Sequence, residues 1–340
     1  MSVSNPICTD LSILAPQSST KMQLSIIIVN WNSTEPLSVC LSSLFNADLN
    51  TNFEVIVVDN ASYDGCREML LNHFPTVQYV QCTENLGFAR ANNLGSAYAK
   101  GKVLLFLNPD TKIVGDAIQS MMGVFSKYPD AGIVGCRLLN EDLTIQTSCV
   151  QAFPRVFNET LDSEVLRSAF PRSSLWGTAA LMESKSTTTP VECVSGACLM
   201  IRHDVFDQVG MFSPEYFMYV EDRDLCYKVF AAGLRTYFTN AAEVVHFGGN
   251  SSDSRSESQF STLMRQQSLL TFMSQRHGRW RARIYRIAMC INATSRLCLI
   301  GTVHIGALFG LRIPARNSFK KWYCVLRWSL GMESWTARQI

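Results

Sequence analysis

Three features of this 340-residue chain predict an α/β fold: a mostly parallel sheet with helices on both faces, followed by a basic helical appendage. Short apolar runs alternate with helix-length amphipathic stretches through the first half. Those runs are hydrophobic on consecutive rather than alternate residues, the pattern of strands buried on both faces. Polar residues gather just after the runs, at the strand ends where such sheets bind ligands.

Taken in order, residues 24–29, 53–58, 77–80, 103–107 and 133–138 are β-branched and apolar and read as strands. Residues 35–45, 65–74, 89–99 and 116–128 read as the helices between them. In the last of these, Ile118, Met121, Met122 and Phe125 make an i, i+3, i+4, i+7 face. Residues 140–190 are Ser/Thr-rich, are interrupted by Pro154, Pro171 and Pro190, and read as a variable excursion across the top of the sheet. A strand-like pattern returns at 193–202, then a short helix at 204–209 ending at Gly210. Residues 222–232 form a helix with acids in its first turn and Gly233 at its end, and 234–238 and 244–246 read as two short strands. From 254 onward the pattern is helical. Residues 297–311 are apolar around His304 but shorter than the roughly 20 residues a membrane span needs.

Charge is unevenly spread. Residues 275–340 hold twelve Lys/Arg against one acid, Glu333, a net of +11, while residues 1–274 hold 18 basic and 27 acidic residues, a net of −9. An acidic body with a basic tail carrying Trp280, Trp322, Tyr323, Trp328 and Trp335 is expected to rest on an anionic membrane surface. The alternative is a helical bundle on the body or a dimer contact. Specific nucleic-acid binding is disfavoured by the acidic body. The twelve cysteines are scattered with no Cys-x-x-Cys, which argues against a disulfide framework and against zinc. Residues 1–21 carry Asp10 and Pro16 without a long apolar core, so no secretory signal is read there. The expected location is cytoplasmic, peripheral on the inner face of the cell membrane.

Two acidic segments carry the chemistry. Asn108-Pro109-Asp110 closes an apolar strand, where a carboxylate can hold a metal on a diphosphate. Glu221-Asp222-Arg223-Asp224 places three acids at a helix start, where one can take a proton from an attacking hydroxyl. Together they suggest a transferase with a nucleotide-activated donor.

Seven segments then occur in order: LSIIIVNWNS (24–33), VIVVDNASYDG (55–65), NLGFARANNLG (85–95), LLFLNPDT (104–111), SGACLMIR (195–202), YVEDRDL (219–225) and VHFGGNS (245–251). They resemble the family 2 inverting glycosyltransferases of GT-A fold, in particular the rhamnosyltransferase-like branch, over about residues 22–250. The resemblance implies that Asp59 accepts a hydrogen bond from a uracil or thymine N3–H, with Asn30 and Asn32 beside base or ribose. The residues themselves leave open a turn cap for Asp59 and helix capping for the two asparagines. It places Asn85, Arg90 and Asn93 beside the nucleotide, although Arg90 could be a plain surface residue. Asp110 matches the second acid of the family's Asp-x-Asp metal motif, whose first position is here Asn108. His246 aligns with a histidine that completes the metal shell in some relatives, or is a buried histidine bonded to backbone. The implied cofactor is a divalent cation, Mg²⁺ or Mn²⁺. Asp222 is implied as the base and Glu221 as the residue orienting the acceptor. Asp224 supports the loop, and Ser195 and Gly196 floor the acceptor site or pack a strand tightly.

The expected organisation is a leader at 1–21 without fixed structure, a GT-A catalytic domain at 22–253 and a membrane-associating tail at 254–340. The expected partners are a nucleoside-diphosphate sugar (dTDP-rhamnose or a UDP-sugar) and a polyprenyl-diphosphate-linked saccharide acceptor in cell-surface polysaccharide synthesis. A nucleotidyltransferase would need a basic phosphate loop where Asn30-Trp31-Asn32 stands. A non-catalytic nucleotide- or carbohydrate-binding protein would not need the 221–224 acids, and a dehydrogenase lacks its glycine fingerprint here.

Overall fold

A computed structural model describes residues 8–10, 22–47, 49–182, 188–248, 259–307 and 316–333. The chain divides into two compact units. The first comprises Met1–Phe153, Pro171–Phe217 and Glu221–Ser251, and the second Pro154–Phe170, Met218–Val220 and Ser252–Ile340.

The first unit is organised by one ten-stranded sheet. Its elements in chain order are β1 (Cys8–Asp10), β2 (Leu24–Asn30), α1 (Thr34–Phe45), β3 (Phe53–Asp59), α2 (Cys66–His73), β4 (Gln78–Cys82), α3 (Gly87–Ser96), β5 (Val103–Leu107), β6 (Thr111–Val114), α4 (Ala117–Lys127) and β7 (Ala131–Leu139). A separate pair, β8 (Val150–Gln151) and β10 (Cys193–Val194), precedes the last elements: β11 (Cys198–Arg202), α7 (His203–Gln208), α8 (Glu221–Ala231) and β12 (Arg235–His246). β9 (Thr188–Val191) pairs with β12. The order is β1-β4-β3-β2-β5-β11-β7-β12-β6. Six strands, β2, β3, β4, β5, β7 and β12, run one way; β1, β6, β9 and β11 run against them.

Consecutive apolar residues explain the architecture. Ile26, Ile27 and Ile28 in β2 and Leu104, Leu105 and Phe106 in β5 are all fully buried, so both faces of the sheet are covered. Helix α3 approaches closely because its contact residues are small: a Cβ on Gly95 would lie 2.6 Å from Ile27 Cγ2 and 3.0 Å from Val58 Cγ2.

The sequence reading needs correction in three places. Arg235–His246 form one strand where the sequence suggests two; β12 pairs with β7, with a register shift between Thr239 and Glu243 where the polar Thr-Asn interrupts the apolar pattern. β6, too short to stand out, is an edge strand with alternate residues exposed. Within residues 1–21, Cys8–Asp10 pairs antiparallel with β4, and the rest of that segment lies outside the described residues.

The second unit is helical: α5 (Val156–Leu161), α6 (Glu164–Ala169), α9 (Gln259–His277), α10 (Arg279–Ala307) and α11 (Arg316–Ser329). Met264, Leu269, Phe272, Tyr285, Met289 and Trp328 are buried in it. Trp328 is thus a core residue, not a surface one, whereas Trp280 is 70% exposed and Trp335 lies outside the described residues. Asp162 accepts from Arg167 Nε at 2.6 Å and Arg265 Nη2 at 3.1 Å, and Asn292 Nδ2 donates to Thr160 O at 2.8 Å. Among the described residues no helix is long and apolar enough to cross a membrane.

Candidate active site

The carboxyl ends of β2, β3, β5 and β12 and the start of the antiparallel β11 share one edge of the sheet. Asn30 ends β2, fully buried. Its Nδ2 donates to Ser62 Oγ at 3.1 Å, while its Oδ1 is buried without a hydrogen-bond partner among the described residues. Such an orphan acceptor is uncommon and marks a place where a ligand donor fits. Asn32 has φ +50, its N–H bonds Ser62 Oγ and its Oδ1 accepts from Tyr63 N. Asp59 ends β3 and caps the following turn, accepting from Ser62 N at 2.9 Å and from Tyr79 Oη at 2.7 Å. Asp59 thus caps the turn with one carboxylate oxygen and holds Tyr79 with the other. Two neighbours outside the candidate site residues join it: Tyr79, inside a strand pattern, and Asn60, whose Nδ2 donates to Asn85 Oδ1 and whose Oδ1 accepts from Leu86 N.

Asn85 thereby fixes the entry to α3, its Oδ1 also accepting from Gly87 N at 2.9 Å. Gly87 has φ +75, and a Cβ there would fall 2.4 Å from Phe217 O, so a side chain is excluded by both backbone and space. Farther along α3, Asn93 is committed to backbone, with its Nδ2 on Phe212 O and its Oδ1 on Phe212 N. Arg90 is exposed and bonds Pro214 O through Nε. These two side chains brace the 212–214 loop.

Beyond β5, Asn108 N donates to Ala197 O at 2.9 Å, joining the turn after β5 to the segment before β11. Asp110, 8% exposed, places Oδ1 3.4 Å from His246 Nε2, and Asn108 Nδ2 lies 3.4 Å from the same nitrogen. Gln146, which sequence reasoning missed, sets the imidazole. Its Nε2 donates to His246 O at 2.7 Å, which turns Oε1 toward His246 Nδ1 at 3.0 Å. Nδ1 then carries the proton and Nε2 presents a lone pair to the Asp110 carboxylate. With Asn108 Nδ2 beside the same nitrogen, the imidazole nitrogen and the Asp110 carboxylate are two donor groups of the kind a divalent cation takes. Among the described residues no group of three or more His, Cys, Asp and Glu could hold a metal, so a cation here would take further oxygens from elsewhere. Nothing in the irregular 140–190 sequence announces Gln146; its role exists only once β12 brings His246 beside it.

The acidic cluster meets the start of β11. Asp222 Oδ2 accepts from Gly196 N at 2.9 Å and Oδ1 from Arg223 N at 2.7 Å. A Cβ at Gly196 would stand 3.2 Å from Asp222 Cβ, so the glycine permits this approach. Ser195 Oγ accepts from Ala197 N at 3.2 Å and shapes the same turn. Burial raises the Asp222 pKa above the usual carboxylate range, against the pull of the Gly196 and Arg223 N–H groups and the Arg223 guanidinium. Glu221 is 6% exposed. Asp224 is fully buried and accepts from Ser213 Oγ at 2.6 Å and Tyr216 Oη at 3.4 Å, holding the loop before α8. The backbone enters α8 through Tyr219 and Val220 at φ +69 and +72, the left-handed region that a β-branched residue rarely occupies.

Residues 25–210, more than half of the chain, match the family model "Glycosyl transferase family 2". N-acetylglucosaminyl-diphospho-decaprenol L-rhamnosyltransferase of Mycobacterium tuberculosis is 29% identical over 273 residues, 76% of this chain and 87% of that protein. Rhamnosyltransferase WbbL of Escherichia coli K12 is 27% identical over 232 residues, 65% of this chain and 82% of that protein. Among solved structures, mannosyltransferase PcManGT from Pyrobaculum calidifontis, in complex with GDP-Man and Mn²⁺, superposes with TM-score 0.58 at 16% identity over 94% of this chain and 89% of that one. GalNAc-T7 with UDP, GalNAc and Mn²⁺ gives 0.52 at 16% identity over 67% of this chain and 44% of that one, a likeness of fold. With more than half its length matched by this family model, the chain belongs to glycosyl transferase family 2 and is a glycosyltransferase.

Proposed function

We propose that this enzyme moves a sugar, with rhamnose from dTDP-rhamnose as the first candidate and a UDP-sugar as the second, onto a polyprenyl-diphosphate-linked saccharide, inverting the anomeric configuration, in cell-surface polysaccharide synthesis. One observation carries the reading: a raised-pKa carboxylate, Asp222, is hydrogen-bonded to the same β11 entry whose Ala197 bonds the turn bearing Asp110. The names of the rhamnosyltransferase relatives, one acting on a decaprenol diphosphate, support the donor and acceptor classes.

In this mechanism Asp59 accepts the pyrimidine N3–H and Asn30 Oδ1 takes a ligand donor. Asp110 and His246 would hold a divalent cation, Mg²⁺ or Mn²⁺, which when bound offsets the negative charge of the leaving diphosphate. Asp222 accepts the acceptor hydroxyl's proton as that oxygen bonds to the anomeric carbon and the bond to the diphosphate oxygen breaks. Glu221 orients the acceptor, and Asp224 keeps the loop before α8 in place. A raised pKa suits the base, because a carboxylate nearer neutrality accepts a proton more readily. The basic second unit rests on an anionic membrane surface, which would set the enzyme on the inner face of the cell membrane where a lipid-linked acceptor lies.

The test is nucleoside diphosphate release by the full chain with Mg²⁺ or Mn²⁺. The panel covers dTDP-rhamnose and UDP-sugars, with and without polyprenyl-diphosphate-GlcNAc, alongside Asp222→Asn. Acceptor-dependent release from dTDP-rhamnose, lost in the variant, is the expected result. Release from a different donor would replace rhamnose, and full activity of Asp222→Asn would remove Asp222 as the base.

A further inference from the structure

Helix α10 runs from Arg279 to Ala307 without a single acid. Trp280, Ile287 and Ile291 are 70%, 61% and 63% exposed, and Ile284 is 39% exposed. At about 100° per residue these four fall within an arc of roughly 60°, and the exposed Cys298 extends the same line. An apolar stripe open to water over three turns is not the ordinary face of a surface helix.

A groove of about 380 Å³ between α9 and α10 lies beside it, lined by Gln267, Ser274, Gln275, Arg279, Arg283 and Arg286 among others. The three arginines recur at i, i+4 and i+7, about a quarter turn from the stripe. Arg286 is anchored, donating through Nε to Ser329 O at 3.0 Å and through Nη2 to Trp328 O at 2.9 Å. Arg279 and Arg283 are exposed, and Arg281 flanks the stripe on its other side. Guanidinium groups bordering an open apolar stripe match a surface that offers phosphates and hydrocarbon side by side.

We infer that this face of α10 is the membrane-docking site: headgroup phosphates of an anionic bilayer seat in the Arg279–Arg283–Arg286 groove while Trp280, Ile284, Ile287 and Ile291 lie in the interface. The inference rests on the membrane reading of the second unit given above and names the residues that make it. The occupant is a bilayer because charge and apolar character coincide on one helix face that carries no acid, and because no described helix could span a membrane instead.

The test is flotation of the full chain with phosphatidylcholine vesicles, with and without phosphatidylglycerol. The wild type is expected to float with the anionic vesicles only. Ile287→Asp/Ile291→Asp and, separately, Arg279→Glu/Arg283→Glu are each expected to lose at least tenfold in vesicle affinity. Both should keep the wild-type melting temperature and rate on a soluble acceptor analogue, and Lys127→Glu, on the first unit, should float normally. Millimolar inorganic phosphate should leave flotation unchanged; displacement by it would reassign the groove to a soluble anion. If the wild type floats and both double variants float equally well, this face is not the site although the membrane reading stands. If the wild type floats on no vesicle, both fall. If Ile287→Asp/Ile291→Asp instead turns a dimer into a monomer with flotation intact, the stripe joins two copies of the chain and the inference is overturned.

Discussion

Replacing Gln146 with leucine isolates the part of the site that only the folded chain creates. The substitution removes two hydrogen bonds, Nε2 to His246 O at 2.7 Å and His246 Nδ1–H to Oε1 at 3.0 Å. At about 1 kcal/mol net for each bond, the loss is about 2 kcal/mol, well inside the 5–15 kcal/mol typical of a folded domain. The protein should therefore fold with a melting temperature lowered by several degrees at most. The larger effect falls on His246. With Nδ1–H no longer held, the ring can rotate or change tautomer, and Nε2 loses its fixed lone pair toward Asp110. Loss of an outer-shell partner of a metal-binding histidine typically costs 10–100-fold in metal affinity. The half-saturating Mn²⁺ concentration for nucleoside diphosphate release should rise by about that factor, with the rate at saturating Mn²⁺ recovering most of its value. Gln146→Glu gives a second reading, because it keeps an acceptor for Nδ1–H while losing the donor to His246 O, and should show the smaller shift. An unchanged Mn²⁺ dependence in Gln146→Leu, with a normal melt, would refute both the positioning role and the assignment of His246 to a cation.

Three further outcomes follow from the geometry. The acid limb of kcat/KM should lie above the ordinary carboxylate range, since burial raises the Asp222 pKa and the base must be ionised; a limb near pH 4 in the free enzyme would count against it. By the same sign, protonated Asp222 favours the folded state, a contribution lost as pH rises through its raised pKa. Asp162 behaves oppositely: burial alone would raise its pKa, but Arg167 and Arg265 outweigh it and hold the carboxyl below its usual value. Its stabilisation is present above the unfolded pKa and lost as pH falls through the lowered one, so the melting deficit of Asp162→Asn should be clear at pH 7 and shrink in acid. Gly95→Ala should cost about 1–3 kcal/mol in denaturant melts, because its Cβ would meet Ile27 and Val58 in a closed core.

The sequence carries the parallel half of the fold well, because fully buried strands such as β2 and β5 are uniformly apolar and their ends are abruptly polar. Asp59, Asp110 and Asp222 stand out for that reason: acids beside long hydrophobic runs have few reasons to be there. What escaped detection depends on partners far away in the chain. Gln146 matters through a residue 100 positions on, and Asn93 turns from a ligand candidate into a loop brace through Phe212. β12 reads as two strands in the sequence because a register shift breaks the local pattern without breaking the strand. The tail tryptophans divide likewise, Trp328 into the core and Trp280 outward, since a basic aromatic helix does not reveal which face packs.

The antiparallel seat of β11 has an evolutionary side. Asn30, Asp59, Asn85 and Asp110 all come from the first third of the chain, around the parallel strands β2, β3, β4 and β5. Gly196 and Asp222 arrive on a later excursion slotted between β5 and β7. The two stretches meet at several points: Asn108 N on Ala197 O, Phe88 N on Phe217 O, and the Asn93 side chain on the Phe212 backbone. Exchanging residues 140–230 between relatives would therefore also replace Gln146, Phe212 and Phe217, the partners of His246, Asn93 and Phe88.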